Sequence, residues 1–153
     1  MKVIKTDQFD IVGIRTRTIN DGSAAKDIPA LWNRFMKEDI MNRIPNREGN
    51  SIYCLYTEYE SDHLHPYDVV LGCKVKSTDD IPEGFTHLHV PASENAQFLA
   101  KGNIEQGEAV VATWMDIWKS TLNRAYSVDY EVYDERSADL KNAEVDIFIA
   151  LKK

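Results

Sequence analysis

The order of secondary-structure patterns repeats along this 153-residue sequence, and the repetition limits the folds that the chain can adopt. In each half, an alternating β-strand pattern is followed by an amphipathic helical pattern and then by two more strand patterns. The halves cover approximately residues 1–78 and 84–153, with the turn-rich segment TDDIPEG between them. Two β-α-β-β modules of this kind are expected to pack as antiparallel sheets covered by helices, which is an α+β architecture.

The strand that follows each helix supports the repetition at the level of residues. SIYCLYTEYES and SVDYEVYDERS share a Tyr-x-x-Tyr spacing. Aligning the two segments sets Tyr56 against Tyr133 and Cys54 against Glu131. The sequence therefore predicts an internal duplication in which only the second copy carries an acid at this position.

Each of the two helical patterns has one apolar face. Their apolar residues recur at helical spacing, which predicts that each helix packs one side against the sheet. We expect Trp32 of the first helix to be a core residue. The residues of these faces are Ile28, Leu31, Trp32, Phe35 and Met36 in the first helix, and Val110, Val111, Trp114, Met115, Ile117, Trp118 and Leu122 in the second.

The charge of the chain bears on its partners. The formal net charge is -7 and the isoelectric point is about 5.1. Direct binding to nucleic acid is not expected, because it usually needs a basic surface that releases counterions. An acidic protein instead attracts cationic ligands.

The cysteine content and the lack of targeting signals favour a cytoplasmic protein. Cys54 and Cys73 lie within predicted strands, and we expect buried thiols, with a disulfide or a reactive thiol as the less favoured alternatives. No secretory hydrophobic region and no long apolar run is present, so no membrane association is expected.

Segments along almost the whole chain resemble the GyrI-like family, the effector-binding domain of small stand-alone proteins and of some multidrug-responsive regulators. They are FDIVGI, IPALWNRF, IYCLYTEY, YDVVLGCKV, HLHVPASENAQFLAKG, TWMDIWKSTL, DYEVYDE and VDIFIALKK. The resemblance implies one effector-binding domain over residues 1–153. It also implies two modules around a pseudo-two-fold axis, with a central ligand cleft at their junction.

The resemblance places the acid of the aromatic-Glu-x-Tyr strand in that cleft, where it meets cationic aromatic compounds. In this sequence the acid is Glu131 and its neighbour is Tyr133. A carboxylate and aromatic faces together compensate a desolvated cation. The further ligand-binding residues that we predict are Tyr56 and Cys54 from the matched strand, Trp114 and Trp118 from the second helix, and Phe98 and Tyr67.

Structural explanations remain for the same residues. Glu131 on a strand is often a solvated edge residue. Trp114 and Trp118 can serve as core that seals a sheet, and Tyr56 and Tyr133 can be cross-strand packing partners.

Two His-x-His pairs suggest a metal site, because alternate strand residues share a face. They are His63 with His65 and His87 with His89. No nearby Cys or carboxylate completes an evident ligand set, so neither a metal nor a cofactor is predicted.

The leading hypothesis is a stand-alone protein that binds cationic, amphiphilic small molecules and acts by sequestration or by ligand sensing. Catalytic signatures are scarce: the sequence has no Gly-x-Ser-x-Gly elbow, no phosphate-binding glycine loop and no His-Glu-x-x-His zinc helix. The first alternative is a small hydrolase of reactive electrophiles, with Glu131 as general base and Cys54 as a potential nucleophile. The second is a modulator of a macromolecule such as DNA gyrase. A complete transcription factor is not expected, because every segment is used by the fold and none remains for a helix-turn-helix module.

Overall fold

The computed structural model describes residues 1–153 and shows eight strands, three α-helices and a 3₁₀ turn. The first half contains β1 (Lys2–Thr6), β2 (Phe9–Thr18), α1 (Ala24–Lys37), α2 (Ile40–Arg43), β3 (Ile52–Thr57) and β4 (Tyr67–Val75). The second half contains β5 (Thr86–Val90), β6 (Ser93–Gly102), α3 (Glu108–Lys119), β7 (Asp129–Tyr133), the 3₁₀ turn Glu135–Ser137 and β8 (Ala143–Ala150). The predicted α+β class is confirmed.

All eight strands form one sheet in the order β1-β6-β8-β7-β3-β4-β2-β5, and every pairing is antiparallel. The order is symmetric with respect to the two halves. Replacing each strand by its counterpart in the other half, such as β1 by β5 or β3 by β7, and reading the order backwards gives the same order. Each half begins with one strand more than the β-α-β-β pattern, and that strand pairs with the other half: β1 with β6, and β5 with β2. This symmetry is expected of an internal duplication, which remains a prediction.

The two halves meet at the antiparallel pair β3–β7, in the middle of the sheet. Cys54 lies directly opposite Glu131 in this pair. These are the residues that the alignment of the two halves matches to each other. A pseudo-two-fold axis that relates the halves therefore passes between Cys54 and Glu131.

Two glycines bring β2 and β4 close together. Gly13 and Gly72 are partners in the register. A Cβ atom on Gly13 would lie 1.9 Å from the carbonyl oxygen of Leu71, and one on Gly72 would lie 2.4 Å from that of Val12. No residue with a side chain fits either position without moving the backbone.

The helices pack on one face of the sheet and form the larger core with it. α1 buries Leu31 and Phe35, and α3 buries Val110, Trp114 and Ile117. The buried stripes are narrower than the predicted apolar faces. The predicted apolar residues that are exposed are Met36, Val111, Met115 and Trp118.

The other face of the sheet carries a smaller cluster without helical residues. Four aromatic rings interlock there, with centroid separations of 4.8 to 6.0 Å, and they belong to Phe9, Tyr53, Tyr130 and Phe148. Tyr130 of β7 points to this cluster and Glu131 to the helical side, because successive side chains of a strand point to opposite faces.

Both cysteines are buried and unpaired, as predicted. None of the helices has the length and apolar character needed to cross a lipid bilayer.

Candidate functional site

A large cleft opens over the central strand pair, on the face that carries the helices. Its volume is about 1590 Å³. Residues of α1 form one wall and residues of α3 form the other, while Tyr56 of β3 and Glu131 and Tyr133 of β7 lie between them. The cleft therefore stands where the two halves of the sheet meet.

Glu131 is the acid in the centre of this cleft, and it is only 1% exposed. Its Oε1 accepts a hydrogen bond of 2.6 Å from the Tyr133 hydroxyl. Its Oε2 accepts two bonds of 2.7 Å, one from the Tyr56 hydroxyl and one from Nε1–H of Trp114. All these donors are neutral, and Glu131 takes part in none of the salt bridges of the chain.

Burial raises the pKa of Glu131, because an ionised carboxyl loses hydration in the protein interior. The hydrogen bonds from Tyr133, Tyr56 and Trp114 oppose that rise by stabilising the ionised form. The positive charge that would complete the compensation is not supplied by a side chain.

A second buried acid, Asp129, lies two residues earlier on the same face of β7. Its Oδ2 accepts bonds from Arg124 Nη2 at 2.8 Å and from the Tyr59 hydroxyl at 2.7 Å, and its Oδ1 accepts from the Ala150 amide at 2.8 Å. Burial raises the pKa of Asp129, and the nearby Arg124 charge is the strongest opposing influence. Asp129 is thus held by a charged partner that Glu131 lacks.

Aromatic rings surround Glu131 on several sides. Trp32 meets Tyr133 edge-on at 4.8 Å, and Tyr56 meets Trp114 edge-on at 5.2 Å. Trp118 lies at the rim, where the His63 ring stacks on it at 5.7 Å. These faces offer a cation or an apolar group several contact surfaces.

Six of the eight predicted ligand-binding residues line the cleft. They are Glu131, Tyr133, Tyr56, Tyr67, Trp114 and Trp118. Cys54 lies outside the lining, fully buried, with its thiol 3.4 Å from the Tyr56 hydroxyl. Burial raises the pKa of Cys54 well above its ordinary value, and the Glu131 charge acts in the same direction.

Phe98 also lies outside the cleft lining. It belongs to β6, where its register partner is Ile147 of β8. Two strands, β8 and β7, separate β6 from β3 in the sheet. A sequence without pairing information cannot show that Phe98 is this far from the centre.

The cleft also contains residues that the sequence reasoning did not select. Trp32 is half-buried in the wall rather than enclosed in the core, and Tyr59, His63 and Arg124 join it. Trp32 carried a usable signal, since it is a tryptophan on the apolar face of the first helix, as Trp114 and Trp118 are on that of the second. Arg124 carried none, because it lies in an irregular segment after α3.

The histidine pairs do not form a metal site. No group of three or more His, Cys, Asp or Glu side chains is arranged to hold a metal ion. His87 and His89 both contact Asp10 Oδ1, at 2.8 and 3.0 Å, on the surface. His65 contacts Asp62 at 2.8 Å.

Comparison with known proteins gives a family match over nearly the whole chain. The family model described as Cass2, integron-associated effector binding protein, matches residues 2–151. The putative transcriptional regulator protein YobU of Bacillus subtilis is 34% identical over 148 residues, covering 92% of this chain and 91% of that protein.

Solved structures share the fold. The integron cassette protein VCH_CASS2, from the mobile metagenome of Vibrio cholerae, has a TM-score of 0.74 and 25% identity, covering 99% of this chain and 95% of that one. The protein SAV2435, solved bound to tetraphenylphosphonium, has a TM-score of 0.81 and 16% identity, covering 99% and 93%. At the latter identity the likeness concerns the fold alone.

Proposed function

This chain belongs to the family of integron-associated effector-binding proteins, and we propose that its effector is a lipophilic monocation held in the central cleft. Glu131 supplies the countercharge, and the rings of Tyr56, Tyr133 and Trp114 supply the contact surface. The protein acts by sequestering such compounds or by sensing them for another component of the cell.

The observation that carries this proposal is the compensation of Glu131 by neutral groups only. An ionised carboxylate removed from water is unfavourable by several kcal/mol unless charge and hydrogen bonds compensate it. Tyr133, Tyr56 and Trp114 provide the hydrogen bonds, but no group provides the opposite charge. A cation beside Glu131 provides that charge, and Glu131 in turn compensates the charge of the cation.

The aromatic lining favours cations that carry apolar groups. Each cation-π contact contributes about 0.5 to 2 kcal/mol, with the larger values in desolvated sites. Burial of apolar ligand surface adds about 25 cal/mol per Å². A small hydrated ion such as ammonium gains little from the second contribution, so lipophilic cations are preferred.

One structural neighbour supports this choice of ligand, and one relative supports the sensing role. SAV2435, which shares the fold, was solved bound to tetraphenylphosphonium, a lipophilic monocation. YobU is described as a putative transcriptional regulator, which agrees with a role in sensing.

We favour binding over hydrolysis because the potential nucleophile is poorly suited to reaction. The Cys54 thiol is fully buried, and burial together with the neighbouring Glu131 raises its pKa. A thiol reacts as the thiolate, so these surroundings suppress its reactivity.

The experiment compares two ions of the same shape and opposite charge. Tetraphenylphosphonium is expected to quench the tryptophan fluorescence of the protein, and tetraphenylborate is expected to bind at least about tenfold more weakly. Glu131→Gln is expected to weaken tetraphenylphosphonium binding by about tenfold or more.

The matched control is Glu135→Gln, the same chemical change on an exposed acid in the cleft lining. Solvent screens this charge, so tetraphenylphosphonium affinity should change by less than about twofold. Equal loss in both variants, or unchanged affinity in Glu131→Gln, would reject Glu131 as the countercharge. Recovery of intact phosphonium after long incubation, with a stoichiometric binding endpoint, separates capture from turnover.

A further inference from the structure

Arg124 is a buried guanidinium in the cleft lining whose hydrogen-bonding capacity is largely unused. The residue is only 5% exposed. Nη2 donates to Asp129, but no acceptor lies within hydrogen-bonding distance of Nε or Nη1. Buried donors without acceptors are unfavourable by about 1 to 3 kcal/mol each, and native structures leave few of them.

These unused donors lie near the proposed countercharge. The guanidinium carbon of Arg124 is 5.9 Å from the centre of the Trp114 ring, and Trp114 Nε1 donates to Glu131. One indole therefore connects the acidic centre of the cleft with the unused donors. A ligand that lies along Trp114 is placed to contact both.

The charges in this region decide what kind of acceptor fits. Arg124 and Asp129 form a salt bridge of 2.8 Å and balance each other, so Glu131 leaves a local charge of about one negative unit. A monocation with a neutral acceptor brings the total to zero. A zwitterion, with an added carboxylate, restores the imbalance.

We propose that the cleft selects monocations that also carry a carbonyl oxygen, which accepts a hydrogen bond from one of the two unused Arg124 donors, Nε–H or Nη1–H, while the cationic group lies beside Glu131. This inference rests on the proposed function and adds a second point of recognition to it. Arg124 is then a specificity-determining residue rather than only the partner of Asp129.

Access to these donors requires a local rearrangement. Nε and Nη1 have almost no contact with solvent. The Tyr126 ring covers the guanidinium at 4.4 Å, and Tyr126 has a positive φ of 54°, which is uncommon for a residue other than glycine. A ligand therefore reaches these donors only after side chains around the guanidinium move.

The experiment uses two cations of equal chain length. Benzoylcholine has an ester between the phenyl ring and the trimethylammonium group, and phenylbutyltrimethylammonium has methylenes in the same positions. We define the carbonyl preference as the ratio of their dissociation constants, measured by calorimetry. Arg124→Lys retains a charge for Asp129 but lacks the Nε and Nη1 donors.

Arg124→Lys is expected to reduce the carbonyl preference by about tenfold relative to the wild type, which corresponds to the loss of one hydrogen bond from a charged donor. Affinity for phenylbutyltrimethylammonium should change by less than about threefold. Because the preference is compared between variants, the greater hydrophobicity of the alkyl compound cancels. If Arg124→Lys does not fold, the double variant Arg124→Met/Asp129→Asn, which removes both charges, is measured in its place.

The outcomes separate this inference from the proposed function. If both compounds bind through Glu131 but the carbonyl preference is the same in the wild type and the variant, the Arg124 inference is wrong and the proposed function stands. If neither compound nor tetraphenylphosphonium binds to the wild type, both fail. A reduced carbonyl preference with retained phenylbutyltrimethylammonium binding supports both.

Discussion

Glu131 and Asp129 are two carboxylates with nearly the same burial but different partners. They lie two residues apart on the same face of β7, and their exposed fractions are 1% and 0%. Asp129 is bound by Arg124, Tyr59 and a backbone amide, whereas Glu131 is bound only by two tyrosines and a tryptophan. One acid has a cation from the protein and the other does not.

The difference shows how one strand can carry a structural acid and a proposed binding acid. The Asp129 salt bridge joins β7 to the segment after α3, and its hydrogen bond to the Ala150 amide joins β7 to the end of β8. Glu131 also accepts three hydrogen bonds, but Glu131 itself lines the cleft, whereas Asp129 does not. We therefore expect changes around Asp129 to reduce stability first, and changes around Glu131 to reduce cation binding first.

The largest expected effect comes from removing the charged partner of Asp129. Arg124→Met leaves a buried acid without its cation and should lower the free energy of unfolding by about 3 to 5 kcal/mol. Glu131→Gln removes an acid that has no cation to lose, so its stability should remain within about 1 kcal/mol of the wild type. Urea unfolding of the three proteins measures both changes.

Additional removal of the acid tests whether the unpaired charge causes this loss. Arg124→Met/Asp129→Asn should recover more than half of the stability lost in Arg124→Met, because no buried charge remains. A double variant that is less stable than Arg124→Met would show that packing of the arginine side chain dominates instead.

The second largest effect is expected in the pH dependence of cation binding. Burial raises the pKa of Glu131 above the ordinary value of 4.5. Tetraphenylphosphonium affinity should therefore increase as the pH rises through this raised pKa, by up to about tenfold per pH unit. Fluorescence titrations at several pH values should show this rise in the wild type and a nearly flat profile in Glu131→Gln.

The stability of the ligand-free protein should change in the opposite direction. A carboxyl group with a raised pKa in the folded state contributes stability that is fully present below its unfolded value, near 4.5. That contribution is lost as the pH rises through the folded pKa. The difference in unfolding free energy between wild type and Glu131→Gln isolates it, and a pH-independent difference would contradict the direction assigned to Glu131.

A smaller effect is expected from removing one tyrosine hydroxyl that donates a hydrogen bond to each acid. Tyr133→Phe deletes a hydrogen bond that stabilises ionised Glu131, so its pKa should rise further. The pH midpoint of tetraphenylphosphonium binding should move upward, with about a threefold loss of affinity near that midpoint. The same titration measures both quantities.

Tyr59→Phe is the matched control, because that hydroxyl donates to Asp129 instead. It should lower stability by about 1 kcal/mol and leave the binding midpoint unchanged. A midpoint that moves equally in the two variants would mean that the two carboxylates titrate as one unit.

The contrast between the acids was only partly predictable from the sequence. The alternating pattern of β7 placed Glu131 and Tyr133 on one face and Tyr130 on the other, because side-chain direction on a strand follows from residue parity. The internal match further related Cys54 to Glu131, and the register sets them opposite each other. These are local or pairwise properties of strands.

The partners of each acid were not predictable in this way. Arg124 reaches Asp129 from an irregular segment, and Trp114 reaches Glu131 from a helix in another layer. Such contacts depend on how helices and loops are positioned above the sheet, which periodicity does not specify. β1 was not predicted as a strand because it is short and mostly exposed, and it pairs only with β6 of the other half.

The smallest expected effect compares two aromatic residues that the sequence selected together. Trp118 lies at the cleft rim, is 36% exposed and stacks with His63, whereas Phe98 lies outside the cleft lining and packs against the core. Trp118→Leu should weaken tetraphenylphosphonium binding by about two- to fivefold, since a partly solvated cation-π contact contributes about 0.5 to 1 kcal/mol. Phe98→Leu should leave the affinity unchanged and lower the unfolding free energy by about 1 kcal/mol through poorer packing. Calorimetric titration of both variants, alongside urea unfolding, tests the assignment. Weaker binding in Phe98→Leu than in Trp118→Leu would move the ligand away from the α3 wall of the cleft and toward β6.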